Sequence, residues 1–443
     1  MSENTLSTPS IYILPNEVLR IIVSYVPDTH NTFKDANGTT KNLFISPFFA
    51  LMSVSHLFRM IALEDDRWLD KDFTFDRLVT SRRSLPADWL HKVKAIQALL
   101  ADEHLRQSLS RKTHWTITDF DIFTLLVINL PQFLRTMRAV TVDVDDGTAD
   151  MVDRLSLFPR LIELHLVTPI YAVDLEAIHR ACPILESLYL DRIEMYETPL
   201  HNLASLRELQ IDCIFELSFS DGLIPHGSAA TLTSLSLIRF TGIAPDVLEG
   251  PGLSQFRNLA HLEIRPMDSR FWDIMPAIPS HLLTFKILVE GSEKSLKQII
   301  EKLFTADCFR RLRDLHLTFQ DDIRWQTLAQ SYCKAIVKGI GSNLLMLTHL
   351  ELGMCVFPSW CKMLQRLTRL KQLTLILDNE DLACMESDEG FGEGECALTS
   401  DRSGGIFSRT VPHIRKILAS AFESVQLRPT IYIEAKSSNG LVN

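Results

Sequence analysis

The sequence has little of what an enzyme, a membrane protein or a disulfide-rich domain needs. Its eight cysteines include no Cys-x-x-Cys pair, which disfavours a zinc site and predicts reduced, mostly buried thiols in a cytoplasmic or nuclear protein. No apolar run reaches the ~18 residues of a membrane-spanning helix. Phosphate-binding glycine loops, zinc-protease motifs and serine-hydrolase motifs are missing too. We therefore expect no intrinsic catalysis, no metal and no cofactor.

A concentrated run of positive charge is also missing. The formal net charge is −10, and residues 378–401 hold nine acidic side chains without a lysine or arginine, which leaves about −1 for the rest. Without a basic stripe, nucleic acids and anionic membranes are not expected partners. The glycine content and self-repelling charge of residues 378–405 predict a disordered acidic insert.

What the sequence does contain is an internal repeat. The pattern apolar-x-x-apolar-x-apolar, as in Leu185-Leu188-Leu190, recurs about ten times, at intervals of 21 to 35 residues. The last two apolar positions alternate with polar ones, which predicts a short strand with one buried face. The pattern is typical of an α/β leucine-rich-repeat solenoid, a curved parallel sheet with helices on the convex side.

The segments between the strands carry weaker signals. The asparagine or cysteine that usually follows the last apolar position is mostly missing, and only Cys355 after Leu352 fits. We therefore expect varied hydrogen bonding in the turns. Apolar spacing predicts a helix over residues 322–340, with Gly339 and Gly341 as its stop signal.

Polar residues beside the buried positions should form one broad surface. Such a surface suits a protein or an extended peptide better than a small metabolite. Any single residue on it could equally serve only to keep a solvated sheet face soluble. The candidate substrate-binding residues on this concave face are His165, Tyr189, Asp191, Gln210, Asp212, Glu263, Arg265, Lys286, His316 and Glu351.

Residues 11–75 do not carry the repeat. The ten residues before them are polar, are expected to be disordered and lack the pattern of a secretory signal. A helix starts near Leu14-Pro15, and between Glu17 and Val26 its apolar residues wrap most of the circumference. So wide an apolar surface predicts a second covering surface, either a partner or the repeat domain. Residues 28–46 are polar, with Asn37-Gly38 as a turn signal, and predict an exposed loop.

The order of motifs in this region resembles the F-box. It reads Leu14-Pro15-x-Glu17-Val18-Leu19, then Val54-Ser55-x-x-Phe58-Arg59, then Trp68. The resemblance implies a small all-α module that docks on a Skp-type adaptor, and through it on a cullin–RING ubiquitin ligase. The adaptor-binding residues it implies are Leu14, Pro15, Val18, Leu19 and Ile22, with Val54, Phe58 and Trp68 packing the module and completing the contact region. The alternative for the same residues is a purely internal helical core.

These signals predict four regions: the disordered residues 1–10, the module over 11–75, a helical linker and N-terminal cap over 76–135, and the repeat domain over 136–443, closed by a C-terminal cap over 411–435. The leading hypothesis is a substrate-recognition subunit of an SCF-type ubiquitin ligase. The alternative is a non-ligase leucine-rich-repeat scaffold whose N-terminal helices only cap the array. A third class, an enzyme with a cryptic site, is weaker because no catalytic motif supports it.

Overall fold

The computed structural model describes Leu19, residues 32–34, 40–42, 73–74 and 97, and then a series of longer ranges. With short gaps, these ranges are 101–142, 154–167, 175–191, 204–217, 230–243, 253–266, 279–289, 297–319, 328–377 and 405–435. The chain divides into two compact units, residues 1–168 with 180–184 and residues 169–179 with 185–443.

In the first unit, a run of short parallel strands begins before the first predicted repeat. Strands β1 and β2 form an antiparallel pair, while β3, β4, β5 and β6 are parallel and hydrogen-bonded in sequence order. Two short helices, α1 and α2, lie between the strands along the chain. The elements are β1 (Thr32–Lys34), β2 (Thr40–Asn42), β3 (Phe73–Thr74), α1 (Glu103–Leu109), β4 (His114–Ile117), α2 (Phe133–Thr136), β5 (Ala139–Val142) and β6 (Glu163–Leu166).

Four of these strands differ from the sequence-based expectation. The polar loop predicted over 28–46 contains the β1–β2 pair, and the linker predicted to be helical over 76–135 contains β4. Strand β3 falls inside the module predicted to be all-α, and it pairs with β4. The aliphatic-triplet pattern does not match β4, because an aromatic residue, Trp115, occupies a buried position of this strand and is 1% exposed.

The second unit contains a longer array of the same kind. Nine parallel strands follow one another among the described residues in the order β7, β8, β10, β11, β12, β13, β14, β15, β16, and the short β9 pairs with the end of β10. The strands are β7 (Ser187–Asp191), β8 (Glu208–Asp212), β9 (Glu216–Leu217), β10 (Ser234–Ile243), β11 (His261–Pro266), β12 (Thr284–Val289), β13 (Asp314–Phe319), β14 (His349–Leu352), β15 (Gln372–Leu377) and β16 (Thr430–Ala435). This is the leucine-rich-repeat-like arrangement that the aliphatic triplets predict.

The segments that return the chain from the end of one strand to the start of the next, which we call the returning segments, supply the other side of the core. They include α3 (Leu175–Ala181), α4 (Leu328–Asn343), α5 (Gly405–Ser424) and two 3₁₀ helices, Leu155–Leu157 and Pro358–Leu364. The buried pair of each repeat is nearly inaccessible, with Leu188 and Leu190 at 0% exposure and Leu350 and Leu352 at 1% and 0%. Because successive side chains of a strand point to opposite faces, burying this pair turns the residues between them outward.

The strands begin with a repeated backbone contact. Two consecutive N–H groups donate to one carbonyl at the start of the preceding strand: Thr348 and His349 donate to Arg313 at 2.7 and 3.0 Å. The carbonyls of Arg138, Glu186, Arg207, Thr233, Ala260, Leu283 and Thr348 accept in the same way. The start of β16 differs, because Pro429 has no N–H and only Thr430 donates to the carbonyl of Lys371, at 2.7 Å. These contacts use the backbone alone and lie at the strand starts, so the varied hydrogen bonding expected in the turns after the strands stays a prediction.

Helix α4 passes through the two glycines that the sequence marks as its stop. A Cβ atom on Gly341 would lie 1.8 Å from the carbonyl oxygen of Met363. Glycine at this position therefore allows α4 to approach the 3₁₀ helix Pro358–Leu364, and it does not end the helix.

At the C-terminal end, α5 buries Ile414, Leu418 and Phe422 at 0–1% exposure. Their spacing places them on one helical face. Strand β16 then pairs in parallel with β15 along its whole length, so the segment predicted as a cap also extends the sheet. The acidic insert predicted over 378–405 lies outside the described residues except for Gly405, the first residue of α5.

Candidate protein-binding face

The second unit presents a polar sheet face opposite its aliphatic core. We call it the outward sheet face, and its central column is the set of residues that lie in register midway between the two buried positions. The strand pairings align every neighbour in this column. The central column consists of Tyr189, Gln210, Ser236, Glu263, Lys286, His316, Glu351, Thr374 and Tyr432.

A second column runs beside it at the carboxyl ends of the strands. Its first four members, Asp191, Asp212, Ile238 and Arg265, are successive register partners on β7, β8, β10 and β11. Two aspartates are therefore direct neighbours, an arrangement that is unfavourable unless a cation compensates it.

Arg239 supplies that compensation through a break in the strand. In a regular strand, Arg239 would share the buried face with Leu235 and Leu237, but β10 has a register shift after Ile238 and Arg239 has a φ of 52°. A bulge of this kind re-aims a side chain. The guanidinium holds both carboxylate oxygens of Asp212, with Nε 2.7 Å from Oδ1. The hydrogen bonds that Arg239 donates to Asp212 raise the pKa of Arg239, and the negative charge of Asp191 adds to that increase.

Tyr189 and Glu208 extend this group toward the start of the strands. The Tyr189 hydroxyl donates to Glu208 Oε2 at 2.7 Å, and the Ser187 hydroxyl lies 3.4 Å from the same oxygen. The carboxylates of Asp212 and Asp191 act on the Arg239 guanidinium, whereas Glu208 lies at the opposite end of β8 from Asp212. We call Tyr189, Asp191, Glu208 and Asp212 the acidic patch.

Ser236 is the member of the central column next to this patch. It is in register with Gln210 on one side and Glu263 on the other. Its side chain is 8% exposed, and its hydroxyl oxygen finds no hydrogen-bond partner among the residues that the structure describes. A buried hydroxyl left in this way costs about 1–3 kcal/mol.

Near the middle of the outward sheet face, two acidic side chains each contact a basic side chain. Arg265 Nε lies 2.6 Å from Glu263 Oε1, and His316 Nδ1 lies 3.0 Å from Glu351 Oε2. Lys286 is exposed between these pairs. The hydrogen bond from His316 holds the pKa of Glu351 below its ordinary value of 4.5 against the opposing effect of burial, and the positive charges of Lys286 and Arg265 act in the same direction.

A second histidine–carboxylate pair lies on the same two strands. His349 on β14 approaches Asp314 on β13, with 2.7 Å between Nδ1 and Oδ1. The strands β13 and β14 thus carry carboxylate and histidine in opposite order, Asp314 then His316 against His349 then Glu351, and the register brings unlike groups together.

The predicted substrate-binding residues are placed as follows. His165 lies on β6 in the first unit, in register with Thr141. The other nine lie on the outward sheet face of the second unit. They are Tyr189, Asp191, Gln210, Asp212, Glu263, Arg265, Lys286, His316 and Glu351.

Of the predicted adaptor-binding residues, the structure describes one. Leu19 is helical and 1% exposed, so this chain itself covers its side chain. The remaining seven, Leu14, Pro15, Val18, Ile22, Val54, Phe58 and Trp68, lie outside the described residues.

Sequence reasoning missed Arg239 and Tyr432. The signal for Arg239 was a charge at a position where the alternation Leu235, Leu237 calls for an apolar residue, and such a charge indicates a bulge. Tyr432 was missed because β16 was treated as part of a cap, although its residues alternate as in the other strands and Tyr432 is 44% exposed.

The part of the chain that the structure covers shows few features of metal binding, membrane insertion or thiol reactivity. Within it, no group of three histidine, cysteine or acidic side chains could hold a metal ion, and no helix is long and apolar enough to cross a membrane. Three cysteines there are buried thiols outside any disulfide: Cys182, Cys333 and Cys361. Burial raises the pKa of the Cys182 and Cys361 thiols to about 12, so neither is a reactive thiolate.

Comparison with known proteins leaves the family open. No family model matches the chain, and no curated protein matches it. Among solved structures, a chain of the Drosophila Toll–Spatzle complex is similar over 62% of this chain at 12% identity, with a TM-score of 0.28. The match spans 42% of that chain. A likeness this weak supports no argument, so the fold description depends on the strand register alone.

Proposed function

We propose that this chain holds another protein on its outward sheet face and presents it to a ubiquitin ligase as an SCF-type substrate-recognition subunit. The observation that supports the holding role is the continuous central column on the parallel strands from β7 to β16. A rigid, wide and mostly polar face suits a macromolecular partner. The motif order from Leu14 to Trp68, which resembles the F-box, supports the ligase half of the proposal.

In this proposal the chain acts by tethering and performs no chemistry itself. A bound substrate is kept at high effective concentration beside the ubiquitin-carrying enzyme that the ligase recruits, which accelerates transfer to a substrate lysine. The repeat domain binds the substrate, and the N-terminal module binds the Skp-type adaptor through Leu14, Pro15, Val18 and Ile22. We assign Leu19 to the module's own core, because it is covered within the chain.

The test is binding of a purified Skp-type adaptor to the full-length chain. We expect a stable complex, and we expect Leu14→Ala combined with Pro15→Ala to reduce adaptor affinity about tenfold or more by removing buried apolar contacts. The chain offers a matched control in its second Leu-Pro pair, Leu85-Pro86. Leu85→Ala with Pro86→Ala should leave adaptor binding unchanged.

Two results would count against the ligase half. Failure of the unmodified chain to bind any Skp-type adaptor favours the alternative, a scaffold whose N-terminal residues only cap the array. Equal binding by both double variants would mean that the adaptor does not use Leu14 and Pro15.

A further inference from the structure

Strand β16 is the last strand of the array, and among the described residues it pairs on one side only, with β15. We call its other side the open edge. An unpaired strand edge is a template for another strand, and folded proteins usually blunt it with a short strand, an internal proline, a lysine or a bulge. Strand β16 (Thr430–Ala435) has none of these features, and its one charged residue is Glu434. The open edge is therefore suited to pairing.

The core beneath β16 is covered less completely than the core beneath its neighbour. Leu373 and Leu375 on β15 are both 0% exposed, whereas their register partners Ile431 and Ile433 on β16 are 8% and 7% exposed. On the outward sheet face, Tyr432 is 44% exposed. A further strand alongside β16 would cover the aliphatic side chains and the tyrosine together.

The hydrogen bonds of β16 show which of its backbone groups point to the open edge. The N–H of Thr430 donates to the carbonyl of Lys371 at 2.7 Å, so the backbone of Thr430 faces β15. In a parallel pair, each residue directs its N–H and C=O to the same side, and successive residues alternate between the two sides. Ile431 and Ile433 therefore direct their N–H and C=O groups to the open edge.

An antiparallel partner strand centred on Tyr432 would use these groups fully. Two copies of β16 related by a two-fold axis at this position place Ile431 opposite Ile433, and each such pair exchanges two N–H···O=C bonds. The two tyrosines face each other between these pairs, at a non-hydrogen-bonded position where the Cα atoms are about 4.5 Å apart. Directly opposite residues share a face of the sheet, so the isoleucines of both copies stay on the core side.

The charges of the strand fit the same arrangement. With Tyr432 at the centre, Thr430 of each copy lies opposite Glu434 of the other. Each carboxylate thus meets a hydroxyl that can donate to it, and the two carboxylates do not oppose each other, which would weaken the pairing. The segment 430–434 is therefore complementary to its own reverse.

We propose that two copies of this chain form a symmetric dimer in which β16 pairs antiparallel with β16 of the other copy, in register at Tyr432. The same surface serves on both copies, as a two-fold interface requires. The pairing joins the two sheets, and the outward sheet faces lie on the same side of the joined sheet. This inference goes beyond the proposed ligase role and does not depend on it.

The first measurement is sedimentation velocity of the full-length chain over a range of concentrations. We expect a monomer–dimer equilibrium. Thr430→Glu places a second carboxylate opposite Glu434 at two places in the interface and should weaken the dimer about tenfold. Adding Glu434→Lys to this variant creates opposite charges at both places and should restore the dimer. Because positions 430 and 434 are about 13 Å apart along one strand, the restoration can arise only across the interface.

The matched control is Lys286→Glu, which reverses the charge of an exposed side chain on the same face at β12. Strand β12 is about 19 Å from β16, so the dissociation constant should change less than about twofold, since charges this far apart are largely screened. Thr430 and Glu434 are exposed in the single chain. Their variants should therefore keep the circular dichroism spectrum of the unmodified chain.

A disulfide tests the register directly. Tyr432→Cys brings two thiols to facing positions whose Cα separation fits a disulfide. Mild oxidation should give a covalent dimer that a reductant separates. Lys286→Cys adds a thiol on the same face at β12, and it should cross-link no more than the unmodified chain with its eight cysteines.

Three results would overturn the inference. A chain that stays monomeric at every concentration would mean that another segment of the same chain, or a different protein, covers the open edge. A dimer that Thr430→Glu leaves intact would mean that the two copies meet elsewhere. Failure of the added Glu434→Lys to restore the dimer, or equal cross-linking by the two cysteine variants, would overturn the antiparallel register.

Discussion

Leu350 and Glu351 are neighbours on β14 that face opposite sides of the sheet. Leu350 is 1% exposed and sits in a row of similar aliphatic residues, Leu315 on one side and Leu373 on the other. Glu351 is half-buried, and its register partners His316 and Thr374 differ from it and from each other. The buried face repeats because each repeat meets the same packing requirement. The outward face varies because no requirement recurs there, so it is the face that can distinguish one partner from another.

The comparison predicts that changes on the core side have large effects. Gly341→Val should give the largest effect, destabilising the chain by about 3 kcal/mol or more or preventing folding, because its side chain would overlap the Met363 carbonyl. The measurement is soluble yield followed by chemical unfolding. Gly339→Ala, in the same helix, should be neutral or slightly stabilising because alanine favours helices. Equal losses of stability at both positions would show that helix α4 does not tolerate substitution in general, and that the close contact at Gly341 is not the cause.

The second prediction compares the two neighbours on β14 directly. Leu350→Ala should cost about 2–5 kcal/mol in unfolding free energy, the range for deleting a buried leucine. Glu351→Ala on the opposite face should cost about 1 kcal/mol or less, as partly exposed ion pairs do. Urea unfolding of both variants measures the contrast. Similar costs at the two positions would contradict the division of the sheet into a core face and the outward sheet face.

The third prediction concerns the exception on the outward face, the ion pair of Asp212 and Arg239. The two side chains are only 11% and 26% exposed, so the coupling free energy of this pair should resemble that of a buried pair more than that of a surface pair. A double-mutant cycle with Asp212→Asn and Arg239→Gln should give a coupling of about 1–2 kcal/mol. The same cycle on Glu263 and Arg265, which are 19% and 40% exposed, should give less. Coupling below about 0.5 kcal/mol for the first pair would contradict the inferred role of the bulge.

The smallest expected effect is a pH dependence on the outward face. The pKa of Glu351 is lowered by the His316 hydrogen bond, so the folded chain holds this proton less tightly than the unfolded chain does. The stabilisation is therefore fully present above the unfolded value of about 4.5 and is lost as pH falls through the folded value. Relative to Glu351→Gln, the unmodified chain should lose up to about 1 kcal/mol of stability on acidification below pH 4.5. A constant difference between pH 4 and 7 would contradict this assignment.

The core side of the fold could be predicted from the sequence because its physical constraint repeats. Triplets such as Leu185-Leu188-Leu190 indicate both the strands and their register, and the register fixes which polar residues align. Strand β4 escaped detection because Trp115 fills one buried position with one large side chain. The charge of Arg239 at a position that calls for an apolar residue indicates a bulge, but its partner Asp212 lies 27 residues earlier in the chain and could not be named from the sequence. From the sequence, Gly341 was interpreted as a helix stop. Its contact with Met363 joins two separate elements of the fold, and such a contact is not visible in the sequence.

The paired backbone contact at each strand start has a consequence for how this chain can change. Because two N–H groups bind the previous strand's carbonyl at most of the described strand starts, alignment is re-established in each of these repeats and errors do not accumulate. Intervals of 21 and 35 residues therefore coexist in one sheet. Insertions or deletions between strands should be absorbed locally. The segments between the strands are then free to lengthen, shorten or acquire new sequence while the geometry of the outward sheet face is preserved.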